Sequence, residues 1–269
     1  MYRAIIGDIV GSRFEFHNIK TKEFELFDPA CTFTDDTVMT LAIAKAIMDS
    51  RRNGTKFKKA CVAAMKELGN AYPFAGYGCR FNHWLKSNKS KPYGSYGNGS
   101  AMRVSACGWV AQTEEEAFDL GCQSATVTHS HPDGEGGAMV VAKAIFYART
   151  GRSKEDIRGF VKNHYDLDFT LDEIRPTYSF VETCLESVPQ AIEAFLESTS
   201  FEDAIRNAIS IGGDSDTIGA IAGSIAEDVR GINSVMTLLR EQLAKVAALT
   251  DVVVRRQPRF LGLKEALPE

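Results

Sequence analysis

The sequence predicts an all-α fold, and three observations carry the prediction. Apolar residues recur at i, i+3, i+4 spacing along most of the chain, period-2 alternation is almost absent, and the β-branched run Val252-Val253-Val254 is too isolated to build a sheet. A glycine-containing helix is expected before Glu15, in Gly7-Asp8-Ile9-Val10-Gly11-Ser12-Arg13-Phe14-Glu15. The next helix follows Asp35-Asp36, where Val38, Leu41, Ala42, Ala44, Ala46, Ile47 and Met48 mark an apolar stripe; Phe57, Cys61, Val62, Met65 and Leu68 mark another. Further helices are predicted over 101–111, 114–126, 135–149, 153–164, 178–197, 201–210, 216–229 and 231–248. Ser200 followed by Asp203 is a start signal for the 201–210 helix, with Asp standing where Glu is commoner. The stretch 70–100, rich in Gly, Tyr and Pro, reads as one long loop-like region, and such a loop in a helical domain usually carries a binding role.

The chain has 269 residues and 44% hydrophobic content, enough for a sizeable core, and neither a repeat nor a Pro- or Ser-rich linker divides it. A single domain over 1–269 is expected, with 231–269 as a divergent C-terminal tail. The net charge of −4 gives no basic field for nucleic acid, which points to a small-molecule or protein-borne substrate. Six scattered cysteines without a CxxC pair fit buried thiols in a reducing compartment. The N-terminal residues lack the apolar core of a signal peptide and no run approaches the roughly 18 apolar residues of a membrane span. The expectation is a cytoplasmic protein, compatible with a monomer.

Chemistry concentrates at helix starts. In Gly212-Gly213-Asp214-Ser215-Asp216-Thr217, Asp214 or Ser215 could simply cap the following helix. Thr34-Asp35-Asp36-Thr37 also stands directly before a helix, and one cap does not need two acids and two hydroxyls. If the two starts converge, their carboxylates repel one another, and a cation resolves the conflict. The donors are hard oxygens, which select Mg²⁺, Mn²⁺ or Ca²⁺ over zinc, and two metals could share ligands. His129-Ser130-His131 lacks a third ligand and fits a loop or helix-end role, with one histidine free to touch substrate. Glu15 and Asp8 taken singly read as solvated acids. The glycines of 94–99 could bring backbone N–H groups to phosphate, and Tyr77, Tyr93 and Tyr96 could stack on a base or anchor the loop.

The ordered series Gly7-Asp8…Gly11…Glu15, Thr34-Asp35-Asp36-Thr37, Gly76-Tyr77-Gly78, Tyr96-Gly97-Asn98-Gly99-Ser100-Ala101-Met102-Arg103, Thr128-His129 and Gly212-Gly213-Asp214-Ser215-Asp216-Thr217 resembles the ADP-ribosylglycohydrolase family, in particular its dinitrogenase reductase-activating type. The resemblance spans about residues 1–230 and is specific in its combination of motifs. It implies a compact orthogonal helical bundle with a binuclear Mg²⁺ or Mn²⁺ centre at the base of an ADP-ribose cleft. By position it implies Thr34, Asp35, Asp36, Asp214, Asp216 and Thr217 as metal ligands. Glu15 would be the catalytic base or substrate gate, and Asp36 and Asp216 would do bridging or water-orienting work. The loop Gly94, Ser95, Tyr96, Gly97, Asn98 and Gly99 would wrap the diphosphate and distal ribose, with His129 facing the ligand. The implied reaction is hydrolysis at C1 of ADP-ribose on a modified protein or small acceptor; a non-catalytic ADP-ribose-binding protein is the alternative. A haloacid-dehalogenase-type phosphatase shares DxDx[TV], but Ile218 stands at the fifth position and the context is helical.

Overall fold

A computed structural model describes residues 1–226. Among the described residues the chain forms α1 (Tyr2–Gly11), α2 (Asp35–Asn53), α3 (Phe57–Ala71), α4 (Cys79–Lys86), α5 (Ser105–Val110), α6 (Glu114–Ala125), α7 (Pro132–Arg149), α8 (Lys154–Val161), α9 (Leu171–Ile174), α10 (Cys184–Leu196), α11 (Phe201–Ser210) and α12 (Ser215–Ile225). They contain no strand, and the single β-bridge joins Gly97 to Thr183. The all-α prediction therefore holds, and no described helix is long and apolar enough to cross a membrane. The predicted helix 231–248, the tail 231–269 and the run Val252–Val254 lie outside the described residues.

Hydroxyl side chains set many of the helix starts. Thr34, Thr113, Ser153, Thr170, Thr183 and Ser200 each accept a hydrogen bond from a first-turn N–H, an arrangement worth about 1 kcal/mol per cap. At Ser200 only half of a capping box forms. Its Oγ accepts from Asp203 N at 3.1 Å, while the Asp203 carboxylate turns to Thr199 N (2.8 Å) and Lys22 Nζ (2.9 Å). Thr183 starts α10 at Cys184, so the predicted 178–197 helix is shorter at its N-terminus. His131 caps α7, which begins at Pro132 ahead of the predicted 135. The predicted 101–111 helix is cut to α5, because residues 101–103 continue the 3-10 turn of 98–100 as turn rather than α-helix. The 70–100 stretch is not all loop: α4 lies within it, burying Phe81, Trp84 and Leu85 at i, i+3, i+4 spacing.

One helix organises the rest. Every residue of α12 is buried, and it packs on α1, α10 and α11. The α1–α12 crossing is a backbone-to-backbone contact: a Cβ on Gly7 would lie 2.1 Å from Gly219 O, and one on Gly223 would lie 2.4 Å from Arg3 O. The small residues after Asp216 thus allow the close packing their composition implies. Gly11 continues the contact to the head of α12, where a Cβ would meet the Asp216 Cα at 2.5 Å.

Candidate metal centre and cleft

Both acidic helix starts are held by neighbouring side chains, and they converge. Asp8 projects from the buried face of α1 and accepts from Thr34 N (3.0 Å), Thr34 Oγ1 (2.7 Å), Thr37 N (3.0 Å) and Thr37 Oγ1. This clamps the first turn of α2 to α1. On the other side Gly212 and Gly213 take φ values of 73° and 80°, a left-handed turn that glycine adopts freely, and the chain then enters α12. Asn18 pins that turn. Its Oδ1 accepts from Gly213 N (2.8 Å), and its Nδ2 donates to Gly213 O (2.9 Å), Phe14 O (2.6 Å) and Glu15 O (3.0 Å). The same side chain therefore fixes the backbone before Asp214 and the backbone of Glu15.

Thr217 Oγ1 donates to Asp36 Oδ2 at 3.2 Å, joining the two motifs across 181 residues of sequence. Carboxylate oxygens of Glu15, Asp214 and Asp216 lie within 4.8 Å of one another. Asp214 occupies the N-cap position of α12 yet makes no capping hydrogen bond; its Oδ2 accepts instead from Asn98 Nδ2 at 2.7 Å. The simple cap reading of Asp214 therefore fails. Asp36 Oδ1 is buried with no hydrogen-bond partner. Thr34 is placed differently from the acids, since its hydroxyl is engaged by Asp8 and by Asp36 N.

Burial and mutual repulsion act together on these acids. Asp36 and Asp216 are held well above the usual carboxylate range, first by burial and then by neighbouring aspartates. Asp8, Asp35 and Asp214 are also raised, with burial the main cause. Glu15 is pushed up to about 7 by burial, then by Asp216, Glu182 and Asp8. A buried polar atom without a partner and several carboxylates within a few ångströms are costly without a compensating charge. This all-oxygen donor set fits a hard divalent cation.

Glu15, Asp35, Asp36, Asp214 and Asp216 line a cleft of about 480 Å³, and Asp8 lies behind it. Ser95, Gly97, Asn98 and Gly99 line it, as do Arg80, Arg103 and His129; Gly94 and Tyr96 fall outside the lining. Tyr96 is half exposed and packs edge-on against His131, with ring centroids 5.4 Å apart. Tyr93 lies beneath the Arg80 guanidinium, 4.8 Å from its ring centroid. His129 is buried, and its pKa is driven well below the usual value by burial and by Arg103 and Arg80. A larger hollow of about 570 Å³, lined by Arg158, Glu193 and others, lacks this character because Arg158 binds Glu193 with two hydrogen bonds of 2.9 and 2.6 Å.

The structure adds Asp8, Asn18, Arg80, Arg103 and Glu182 to the residues singled out for the site. Asp8 carried a signal: it shares its helix face with Ala4 and Gly11, which makes a buried acid. Arg80 and Glu182 stand as single charged residues among aromatic, apolar and small neighbours, with no paired acid or repeated motif to mark them.

Fold and site together define an all-helical protein with an acid-lined, ligand-sized cleft. The sequence model of the ADP-ribosylglycohydrolase family matches residues 4–265, beyond the stretch that the motifs span, and the chain belongs to that family of hydrolases. Among curated proteins it is similar to ADP-ribosylhydrolase ARH3 of Xenopus tropicalis, with 26% identity over 85% of each chain. Human ADP-ribosylhydrolase ARH3 is 26% identical, covering 86% of this chain and 84% of the relative. The ADP-ribosyl-[dinitrogen reductase] glycohydrolase of Rhodospirillum rubrum is 24% identical, covering 83% and 76%. A solved structure described as an ADP-ribosylglycohydrolase-related protein complex shares the fold, with a TM-score of 0.61, 20% identity and 83% coverage of both chains.

Proposed function

We propose that this protein hydrolyses the glycosidic bond at C1 of ADP-ribose attached to a protein side chain or a small acceptor, using two Mg²⁺ or Mn²⁺ ions. The observation that carries this reading is the meeting of the two acidic helix starts through Thr217 and Asp36, with Asp36 Oδ1 left unpaired at the cleft. Thr34, Asp35, Asp36, Asp214, Asp216 and Thr217 would hold the ions, and Thr34 also fixes the α2 start. Once bound, the ions supply charge neutralisation at the acids and Lewis acidity toward ribose hydroxyls and water.

The protein's own groups then divide the remaining work. Arg80 and Arg103 place positive charge on the cleft wall, complementary to a diphosphate. The glycines of the 95–99 loop allow close backbone approach. Glu15, half-buried beside Asp214 and Asp216, takes a proton from the attacking water. Oxygen of that water bonds to C1, the bond from C1 to the acceptor breaks with its electron pair going to the acceptor, and the proton held by Glu15 is returned to the acceptor through solvent, so that ADP-ribose and the protonated acceptor leave and Glu15 is again ionised. Carboxylate charge next to C1 favours the oxocarbenium-like transition state. Six free, scattered cysteines support a cytoplasmic location, and the family match over 4–265 supports one domain.

The test is release of free ADP-ribose from a panel of ADP-ribosyl-arginine, ADP-ribosyl-serine and O-acetyl-ADP-ribose in the presence of Mg²⁺ or Mn²⁺. Release from at least one linkage, abolished by chelation, is the expected result. Binding of ADP-ribose with no release from any linkage overturns the hydrolase reading.

A further inference from the structure

The hydrogen-bond partners of His129 determine the chemistry of its ring as well as its position. Its Nδ1 lies 2.7 Å from Thr128 Oγ1. That oxygen lies 3.0 Å from Nη2 of Arg103, which also donates to Ser124 O at 2.8 Å. Arg103 and Thr128 are both buried, at 1% and 0% exposure. A guanidinium carries donors only and stays charged, so the Thr128 oxygen must accept from Arg103.

The Thr128 hydroxyl hydrogen then needs an acceptor, and His129 Nδ1 is the one within reach. If Nδ1 carried the imidazole proton, it would donate to the same oxygen and strand the hydroxyl hydrogen in the interior with the full penalty of an unpaired buried donor. With Nδ1 accepting, the Thr128 hydroxyl hydrogen has its acceptor and the Thr128 oxygen keeps the bond from Arg103 Nη2. Burial and the two nearby arginines disfavour the doubly protonated ring. The remaining proton belongs on Nε2. Nε2 faces the glycine loop, 3.6 Å from where a Cβ on Gly99 would sit and 3.9 Å from one on Gly97. A Cβ at either position would sit in ordinary van der Waals contact with Nε2, so the ring edge faces this loop closely, and the glycines leave that side of it uncovered.

We propose that Arg103 and Thr128 are positioning residues that hold His129 as its Nε2–H tautomer, a fixed neutral donor to an acceptor oxygen of ADP-ribose. The order of donation runs Arg103 to Thr128 to His129 to ligand, and a chain anchored on a charged donor polarises each bond after it. The identity of the ligand rests on the function proposed above; the tautomer does not.

Nitrogen NMR of the ligand-free full-length protein, labelled with ¹⁵N-histidine, reads the tautomer directly, with His129 assigned by the loss of its signals in His129→Gln. The expected result at neutral pH is a protonated Nε2 and a bare Nδ1; a proton on Nδ1 overturns the proposal. Thr128→Val keeps the volume and removes the hydroxyl. It is expected to give a mixture of tautomers and to weaken ADP-ribose binding by about tenfold, the scale of one lost hydrogen bond, with Mn²⁺ binding unchanged. Thr128→Ser is expected to restore both. A Thr128→Val protein that keeps a pure Nε2–H ring and wild-type affinity overturns the positioning role. If the wild type shows the Nε2–H ring but fails to bind ADP-ribose, the tautomer assignment stands and the ligand reading fails.

Discussion

Asp8 is a fully buried acid whose hydrogen-bond partners are the amides and hydroxyls of Thr34 and Thr37. Replacing it by Asn keeps the shape but turns an NH₂ group toward donors. Asp8→Asn is expected to destabilise the fold by about 1–3 kcal/mol, as for a buried donor left unpaired, and to weaken Mn²⁺ binding because the α2 start is released. Chemical denaturation and calorimetric metal titration check the two parts, and an unchanged stability and affinity would remove Asp8 from the site. At this scale the acids that come in motifs were legible. Asp35, Asp36, Asp214 and Asp216 stood out because a cap needs fewer polar groups than each start carries. Glu15 did not, since a single acid has the same local signature on a solvated face as in a buried cluster, and Asp8 offered only the helix face it shares with Ala4 and Gly11. Arg103 drew notice only inside a longer motif, and its link to His129 depends on a hydroxyl 25 residues away.

The crossing of α1 and α12 sets the distance between the two acidic starts. Adding a methyl at Gly7 forces it against the Gly219 carbonyl oxygen at 2.1 Å, and backbone cannot yield there without moving α12. Gly7→Ala is expected to cost about 1–3 kcal/mol and to lower metal affinity as Asp216 shifts away from Asp36. Gly136→Ala is the control: a Cβ there meets nothing within 4 Å, so the higher helix propensity of Ala should leave it neutral or raise stability by up to about 1 kcal/mol. Equal losses in both variants, measured by denaturant unfolding, would show that the close crossing is unimportant. The long periodic helices α2, α3 and α7 were legible because their apolar stripes persist for several turns. The eight-residue α4 was not, because two turns among Gly, Pro and Tyr give too little periodicity to separate from loop.

At the scale of the molecule, the fold brings a group of carboxylates with raised pKa values together at one cleft that also holds Arg80 and Arg103. The sequence announced the two acidic starts but not their meeting, because contact across 181 residues is a property of the packing of α1, α2 and α12. Without metal these acids make stability fall with rising pH. Glu15 titrates at about 7 in the folded chain against 4.5 as an ordinary glutamate, so between those values the folded state holds a proton that the unfolded state has released. Stability from this group is complete below 4.5 and is lost as pH rises through about 7; the raised aspartates act in the same direction. A divalent cation binds the ionised acids and opposes the loss. The most direct test is the thermal unfolding midpoint at about pH 5 and about pH 8, with and without millimolar Mn²⁺. The metal-free midpoint is expected to be lower at the higher pH, with a Mn²⁺-induced rise that is largest there and absent in Asp36→Asn. A midpoint at the higher pH that Mn²⁺ leaves unchanged would contradict that expectation.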